Sequence, residues 1–91
     1  MINFGIVGLG RIGKVHLSNL QSYYPQAKVI AASPVKPKHK VLLEEYGIVH
    51  HCETFEEMME VPNLDAVVIA SPTAYHYDHI LQAATAGKHI F

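Results

Sequence analysis

The spacing of apolar residues along this 91-residue chain changes repeatedly between the period of a strand and that of a helix. Residues 2–7 form a short apolar run broken by Asn3 and Gly5, of strand length. Over residues 11–23, Ile12, Val15, His16, Leu20 and Tyr23 fall at helical spacing, and Pro25 stops the predicted helix. Residues 29–32 read as a second strand, with Pro34 and Pro37 marking a turn. A helix over residues 38–46 ends at Gly47, a suitable residue just past a helix C-terminus. Residues 48–51 make a short third strand. Thr54, with Glu57 three positions on, forms a capping box for a short helix ending before Pro62.

Residues 65–70 are nearly all apolar, as in a strand buried on both faces of a parallel sheet. A last helix over residues 74–86 closes at Gly87, and residues 88–91 begin a fifth strand. Five strands alternating with helices predict an α/β fold in one domain spanning residues 1–91: a doubly wound, Rossmann-like parallel sheet in the order 3-2-1-4-5. Its ligand crevice is expected at the C-terminal ends of strands 1 and 4, where the winding reverses.

Composition narrows the class. Nearly half the residues are apolar and 16% are charged, which suits a compact domain and argues against disorder. No stretch of 18 or more apolar residues is present, so no membrane span is expected. The N-terminus has no secretory pattern and Cys52 is the lone cysteine, so a cytoplasmic setting is expected. The net charge of −1 conceals a division: residues 1–43 carry +6 and no acid, whereas residues 44–91 carry −7. The basic half suits a phosphate-bearing ligand. Nucleic acid is not the expected partner, because the whole chain is slightly acidic and shows no basic face studded with aromatics.

The candidate chemistry lies at the predicted crevice. Gly8-Leu9-Gly10-Arg11-Ile12-Gly13 follows strand 1 and opens the first helix. In a dinucleotide site Gly8 makes the tight turn, Gly10 lets backbone approach a pyrophosphate, and Gly13 packs helix on strand. Free N–H groups and the positive dipole end of the helix favour the phosphate. Ser71-Pro72-Thr73 falls at the same crevice from strand 4. A purely structural packing turn stays open for the glycines. His50-His51-Cys52-Glu53 holds ligand residue types, but strand neighbours point to opposite faces and no second cluster completes a metal site. His76 and His79 fall three apart on a helix, but no carboxylate joins them at ligand spacing apart from Asp78, which is expected to point elsewhere.

Three segments together resemble one family: Gly8 to His16, Ser71-Pro72-Thr73-Ala74-Tyr75-His76, and Ala86-Gly87-Lys88-His89-Ile90-Phe91. They are similar to the N-terminal domain of the glucose-fructose oxidoreductase and inositol dehydrogenase (Gfo/Idh/MocA) family. The resemblance implies an oxidoreductase that uses NAD or NADP on a CH–OH group of a sugar, inositol or related polyol. It implies that Gly8, Gly10, Arg11, Ile12 and Gly13 line the pyrophosphate, and that Ser71, Pro72, Thr73 and His76 lie along the nicotinamide half. Structural roles stay open beside these: Ser71 and Thr73 as helix caps, and His76 and His16 as packed helix residues.

Two departures matter. The acidic residue that takes the adenosine ribose hydroxyls, about 20 residues past the last glycine, is replaced by Ser33. With Ser33 followed by Lys36, Lys38, His39 and Lys40, the loop is expected to accept a 2′-phosphate and to favour NADP over NAD. The lysines also fit an ordinary solvated face. In addition, the family's Glu-Lys-Pro motif with its catalytic lysine, and the substrate domain that follows, would stand beyond Phe91. Residues 1–91 are therefore expected to bind cofactor without turnover, and to self-associate, as a homo-oligomer, through the surface such a domain would cover. The alternative is a stand-alone, non-catalytic dinucleotide-binding or redox-sensing module.

Overall fold

A computed structural model describes all residues, Met1–Phe91. Its five strands, β1 (Ile2–Val7), β2 (Ala27–Ser33), β3 (His50–His51), β4 (Ala66–Ile69) and β5 (His89–Ile90), form one sheet in the order β3-β2-β1-β4-β5. Every neighbouring pair is parallel, as the alternation of elements required. Helices α1 (Arg11–Tyr23), α2 (Lys40–Glu45), α3 (Phe55–Met59) and α4 (His76–Thr85) make the crossovers.

Right-handed crossovers in opposite directions from β1 put α1 and α2 on one face and α3 and α4 on the other. The core divides accordingly. Leu17 of α1 and Leu43 of α2 pack with Phe4, Ile6, Ala32 and Val68, while Phe55 and Met58 of α3 and Ala83 of α4 pack with Val7, Ala31 and Val67. Alternate residues of β1 and β4 thus enter different cores, which explains their near-continuous apolar character.

Several elements differ from the sequence expectation for identifiable reasons. β2 is longer than residues 29–32 because β1 supplies hydrogen-bonding partners along its whole length, from Ile2 against Ala27 to Val7 against Ser33. β3 is shorter than residues 48–51, because Ile48 is buried in the α1–α2 core and its N–H bonds to the Leu43 carbonyl at the end of α2. The expected helix over residues 38–46 starts instead as a 3₁₀ turn, Pro37–His39, with Pro at its first position. The last helix likewise begins as a 3₁₀ turn, Thr73–Tyr75.

The face of α1 also turns. Gly13 and Leu17 are its buried residues, whereas Ile12, Val15 and Tyr23 are exposed and His16 lies on the surface. Gly13 has to face the strand, since a Cβ there would overlap the Gly8 carbonyl, and this rotates the apolar spacing of residues 12, 15 and 16 away from the sheet. The Thr54 cap forms, with Oγ1 accepting from Glu57 N–H at 3.1 Å. The reciprocal half does not, because the Glu57 carboxylate accepts from Glu53 N–H.

His39 is buried, and its Nδ1 accepts from the Lys36 N–H at 3.1 Å. Burial chiefly, then the nearby charges of Lys38, Lys14 and Lys36, hold its pKa below the ordinary 6.5. Burial also lowers that of His79. The unfolded chain therefore binds more protons than the folded one near pH 6, so stability is fully present above pH 6.5 and declines as the pH falls through the lowered values. Urea midpoints should fall between pH 7.5 and 5.5, and His39→Gln, which keeps an acceptor but does not titrate, should flatten part of that slope.

Candidate functional site

The C-terminal ends of the strands next to the reversal are level with one another. Val7 pairs with Ser33 of β2 on one side and with Ile69 of β4 on the other. The chain leaving Val7 is held on both sides: Gly8 N–H donates to the Ser33 carbonyl at 2.8 Å, and Ala70 N–H donates to the Val7 carbonyl at 2.8 Å. Above this edge opens a crevice of about 1040 Å³, which is the size of a ligand site rather than a packing defect.

The three glycines have distinct tasks. Gly8 has φ +96°, and a Cβ there would come within 2.5 Å of the Ala70 carbonyl oxygen, so both conformation and space demand glycine. Gly13 allows the close approach of α1 to the Gly8 carbonyl. Gly10 needs to be glycine for neither reason: a Cβ there would meet no protein atom within 4 Å. It would project into open space at the start of α1, where Gly10 is the N-terminal cap without a side-chain hydrogen bond. The first helical N–H groups have no partner within the helix, and α1 has no acidic residue in its first turn to occupy its positive end. That end is suited to an anion.

Gly8, Gly10, Arg11, Ile12, Ser33, Lys36, Ser71, Pro72, Thr73 and His76, singled out from the sequence, all line this crevice. Gly13 does not line it, because it packs beneath the turn. Lys38 and His39 reach the crevice, whereas Lys40 is not among its lining residues. His39 enters as a buried ring that fixes the loop at Lys36 and not as a cation. At the β2 end, Ser33 is 1% exposed and its Oγ has no hydrogen-bond partner, an orphaned buried polar atom beside Lys36 and Lys38.

At the β4 end, neither Ser71 nor Thr73 caps a helix; no side chain caps the 3₁₀ turn or α4. The Ser71 hydroxyl bonds instead to His79 Nδ1 at 2.8 Å. His76 lines the crevice and also makes one structural bond, its Nε2–H donating to the Ser71 carbonyl. The buried polar residues of the chain are Ser33, His39 and Ser71, and all three lie at the crevice. That concentration makes the crevice the candidate site, because buried polar groups are ordinarily paired and each one calls for an explanation.

The sequence pattern does not place Glu53, Thr54, Phe55 and Glu56 at the crevice, yet they bring the β3–α3 connection to it. The available signal was topological, since every parallel strand beside the reversal delivers its C-terminal loop to the same edge. His79, a metal-ligand candidate with His76 by its spacing, lines the crevice as well. No group of three or more His, Cys, Asp or Glu side chains is placed to hold a metal ion.

A glycine-lined turn at a helix N-terminus, an orphaned hydroxyl and a bipartite crevice are the features of a dinucleotide site, and comparison with known proteins agrees. Residues 2–91 match the oxidoreductase family with an NAD-binding Rossmann fold. The chain is 38% identical to the scyllo-inositol 2-dehydrogenase (NAD(+)) of Bacillus subtilis (strain 168), over 99% of this chain and 27% of that protein. It is 34% identical to the myo-inositol 2-dehydrogenase of Thermotoga maritima, again over 99% of this chain and 27% of the relative. Its fold superimposes with a TM-score of 0.92 and 40% identity on the crystal structure of scyllo-inositol dehydrogenase from Lactobacillus casei with bound cofactor NAD(H) and scyllo-inositol, covering 100% of this chain and 27% of that one. The chain thus spans about a quarter of the length of the relatives it matches. With the match running from Ile2 to Phe91 and taking in the whole strand-turn-helix crevice, the chain belongs to the Gfo/Idh/MocA oxidoreductase family, as its NAD-binding Rossmann fold.

Proposed function

We propose that residues 1–91 are the cofactor-binding unit of a dehydrogenase acting on a CH–OH group of a sugar, inositol or related polyol. The crevice itself carries this reading: an uncapped helix N-terminus faces it across a glycine whose missing side chain leaves room for a ligand and not for the protein. When bound, a nicotinamide dinucleotide accepts or donates the hydride. The chain's part is to bind and orient. Gly8, Gly10 and the first turn of α1 at Arg11 and Ile12 cradle the pyrophosphate, while Gly13 packs beneath the turn and lets α1 approach it. Ser71, Pro72, Thr73 and His76 flank the nicotinamide half. The free, buried Cys52 suits a reducing cytoplasm.

At the adenosine end, Ser33 and Lys36 select NADP. The unpartnered Ser33 Oγ has a donor to offer, Lys36 and Lys38 supply positive charge, and the last residue of β2 is a serine where a carboxylate would repel a 2′-phosphate. The opposite preference, for NAD, is supported by the cofactor named for the Bacillus subtilis and Lactobacillus casei relatives. The exposed apolar groove formed by Ile2, Phe4, Leu20, Tyr24, Val68 and Phe91, together with the free edge of β5, further supports self-association of this chain.

Fluorescence titration with NADH and NADPH should give saturable binding of both, with NADPH tighter by about ten-fold, the scale of a hydrogen bond to a charged group. Equal affinities, or an NADPH preference surviving Ser33→Ala with Lys36→Ala, would assign the site to NAD. Gly10→Ala should leave the urea midpoint unchanged and weaken dinucleotide binding. Gly13→Ala should instead lower stability by about 1–3 kcal/mol through overpacking. Light scattering at rising concentration should show mass growing beyond the monomer, and a constant monomeric mass would remove the self-association proposal.

A further inference from the structure

Two histidines of α4 grip the same residue of the β4–α4 connection. His76 donates through Nε2–H to the Ser71 carbonyl, and His79, three residues further on, meets the Ser71 hydroxyl with Nδ1 at 2.8 Å. Residues three apart share one side of a helix, so both rings reach back over its first turn. The His79 ring is itself held. It stacks on Phe55 of α3 with centroids 4.4 Å apart and planes at 21°, and it lies beside Tyr75 at 6.1 Å and the same interplanar angle. Phe55 is buried among Met58, Val61 and Ala83, so the stack is anchored in the core.

Ser71 stands where the two crevice loops touch. A Cβ on Gly8 would lie 2.7 Å from the Ser71 nitrogen. Ser71 and His79 both line the crevice, and Ser71 is only 8% exposed. A serine hydroxyl on a loop ordinarily samples three rotamers, and fixing it only when a ligand arrives costs affinity.

We propose that His79 is a positioning residue of the dinucleotide crevice: anchored on Phe55, its Nδ1 accepts from the Ser71 hydroxyl and turns the remaining lone pairs of that oxygen toward a donor on the nicotinamide half of the ligand. The proposal rests on the cofactor reading given above. It requires a neutral ring, which burial favours and the neighbouring His76 reinforces, while Glu56 and Asp78 act in the opposite direction. Phe55 and Tyr75 supply the apolar surroundings. In this arrangement Nδ1 is the acceptor, so the proton of the neutral ring sits on Nε2.

The test is a double-mutant cycle on reduced-cofactor affinity, read by fluorescence, with the imidazole nitrogens followed by NMR. His79→Phe keeps a ring on Phe55 but removes Nδ1, and it should weaken binding about five-fold, the scale of one hydrogen bond. His79→Asn, which restores a polar atom near the Nδ1 position, should recover part of the loss. Ser71→Ala should weaken binding similarly, and the double variant Ser71→Ala with His79→Phe should be no weaker than the worse single variant. In Ser71→Ala, which leaves α4 intact, the His79 titration should move upward because the neutral ring loses its donor. Losses that add, a His79→Phe affinity equal to that of the unaltered chain, or a His79 titration unmoved by Ser71→Ala would overturn the proposal. Failure of the unaltered chain to bind either reduced dinucleotide would instead reject the cofactor reading, and the positioning role with it.

Discussion

Between Val7 and Gly13 the backbone passes so close to its neighbours that side chains are excluded on two sides at once. A Cβ on Gly8 would press on Ala70 and Ser71, and one on Gly13 would overlap the carbonyl of Gly8. This crowding is what places α1 against β1 and sets β4 beside both. It decides which face of α1 is inward, since the helix has to present Gly13, and with it Leu17, to the sheet. The exposure of Ile12 and Val15 follows from the same contact. So does the level edge at which Ser33, Gly8 and Ala70 meet, because the paired carbonyls and N–H groups on either side of Val7 hold the turn in register.

Once that edge exists, burial and charge do the rest. Polar groups in the interior of so small a domain are costly unless paired, yet this chain keeps Ser33, His39 and Ser71 buried, all at the crevice. Two are satisfied within the protein, His39 by the Lys36 backbone and Ser71 by His79. Ser33 is not. The asymmetry suits a bipartite ligand, with an open, lysine-flanked end at β2 and an end at β4 where two histidines, one stacked on Phe55, bond to Ser71.

The division of charge along the sequence gains a spatial meaning from the topology. The acid-free first half contributes Arg11, Lys36 and Lys38 to the crevice, while the acidic second half brings Glu53 and Glu56 to it along the β3–α3 connection. The crevice therefore carries cations and carboxylates together, with Arg11 at the glycine turn and Lys36 and Lys38 beyond the end of β2. A field of both signs orients a charged ligand as well as attracting it.

Much of this was legible in the chain itself. Apolar runs separated by helical spacing determined the five strands, their parallel order and the location of the crevice, because hydrophobic periodicity and the handedness of crossovers leave few alternatives. The glycine pattern and Ser71-Pro72-Thr73 were recognisable as crevice loops for the same reason. What one dimension could not contain was orientation and non-local company. The inward face of α1 depended on the contact of Gly13 with Gly8, the neutrality of His39 on its burial against the Lys36 backbone, and the role of His79 on a ring from α3 and a hydroxyl eight residues upstream. Local periodicity determines which elements form, since it is a property of neighbouring residues. The pairing of particular polar atoms belongs to the tertiary structure, since only close packing removes the water that would otherwise satisfy them.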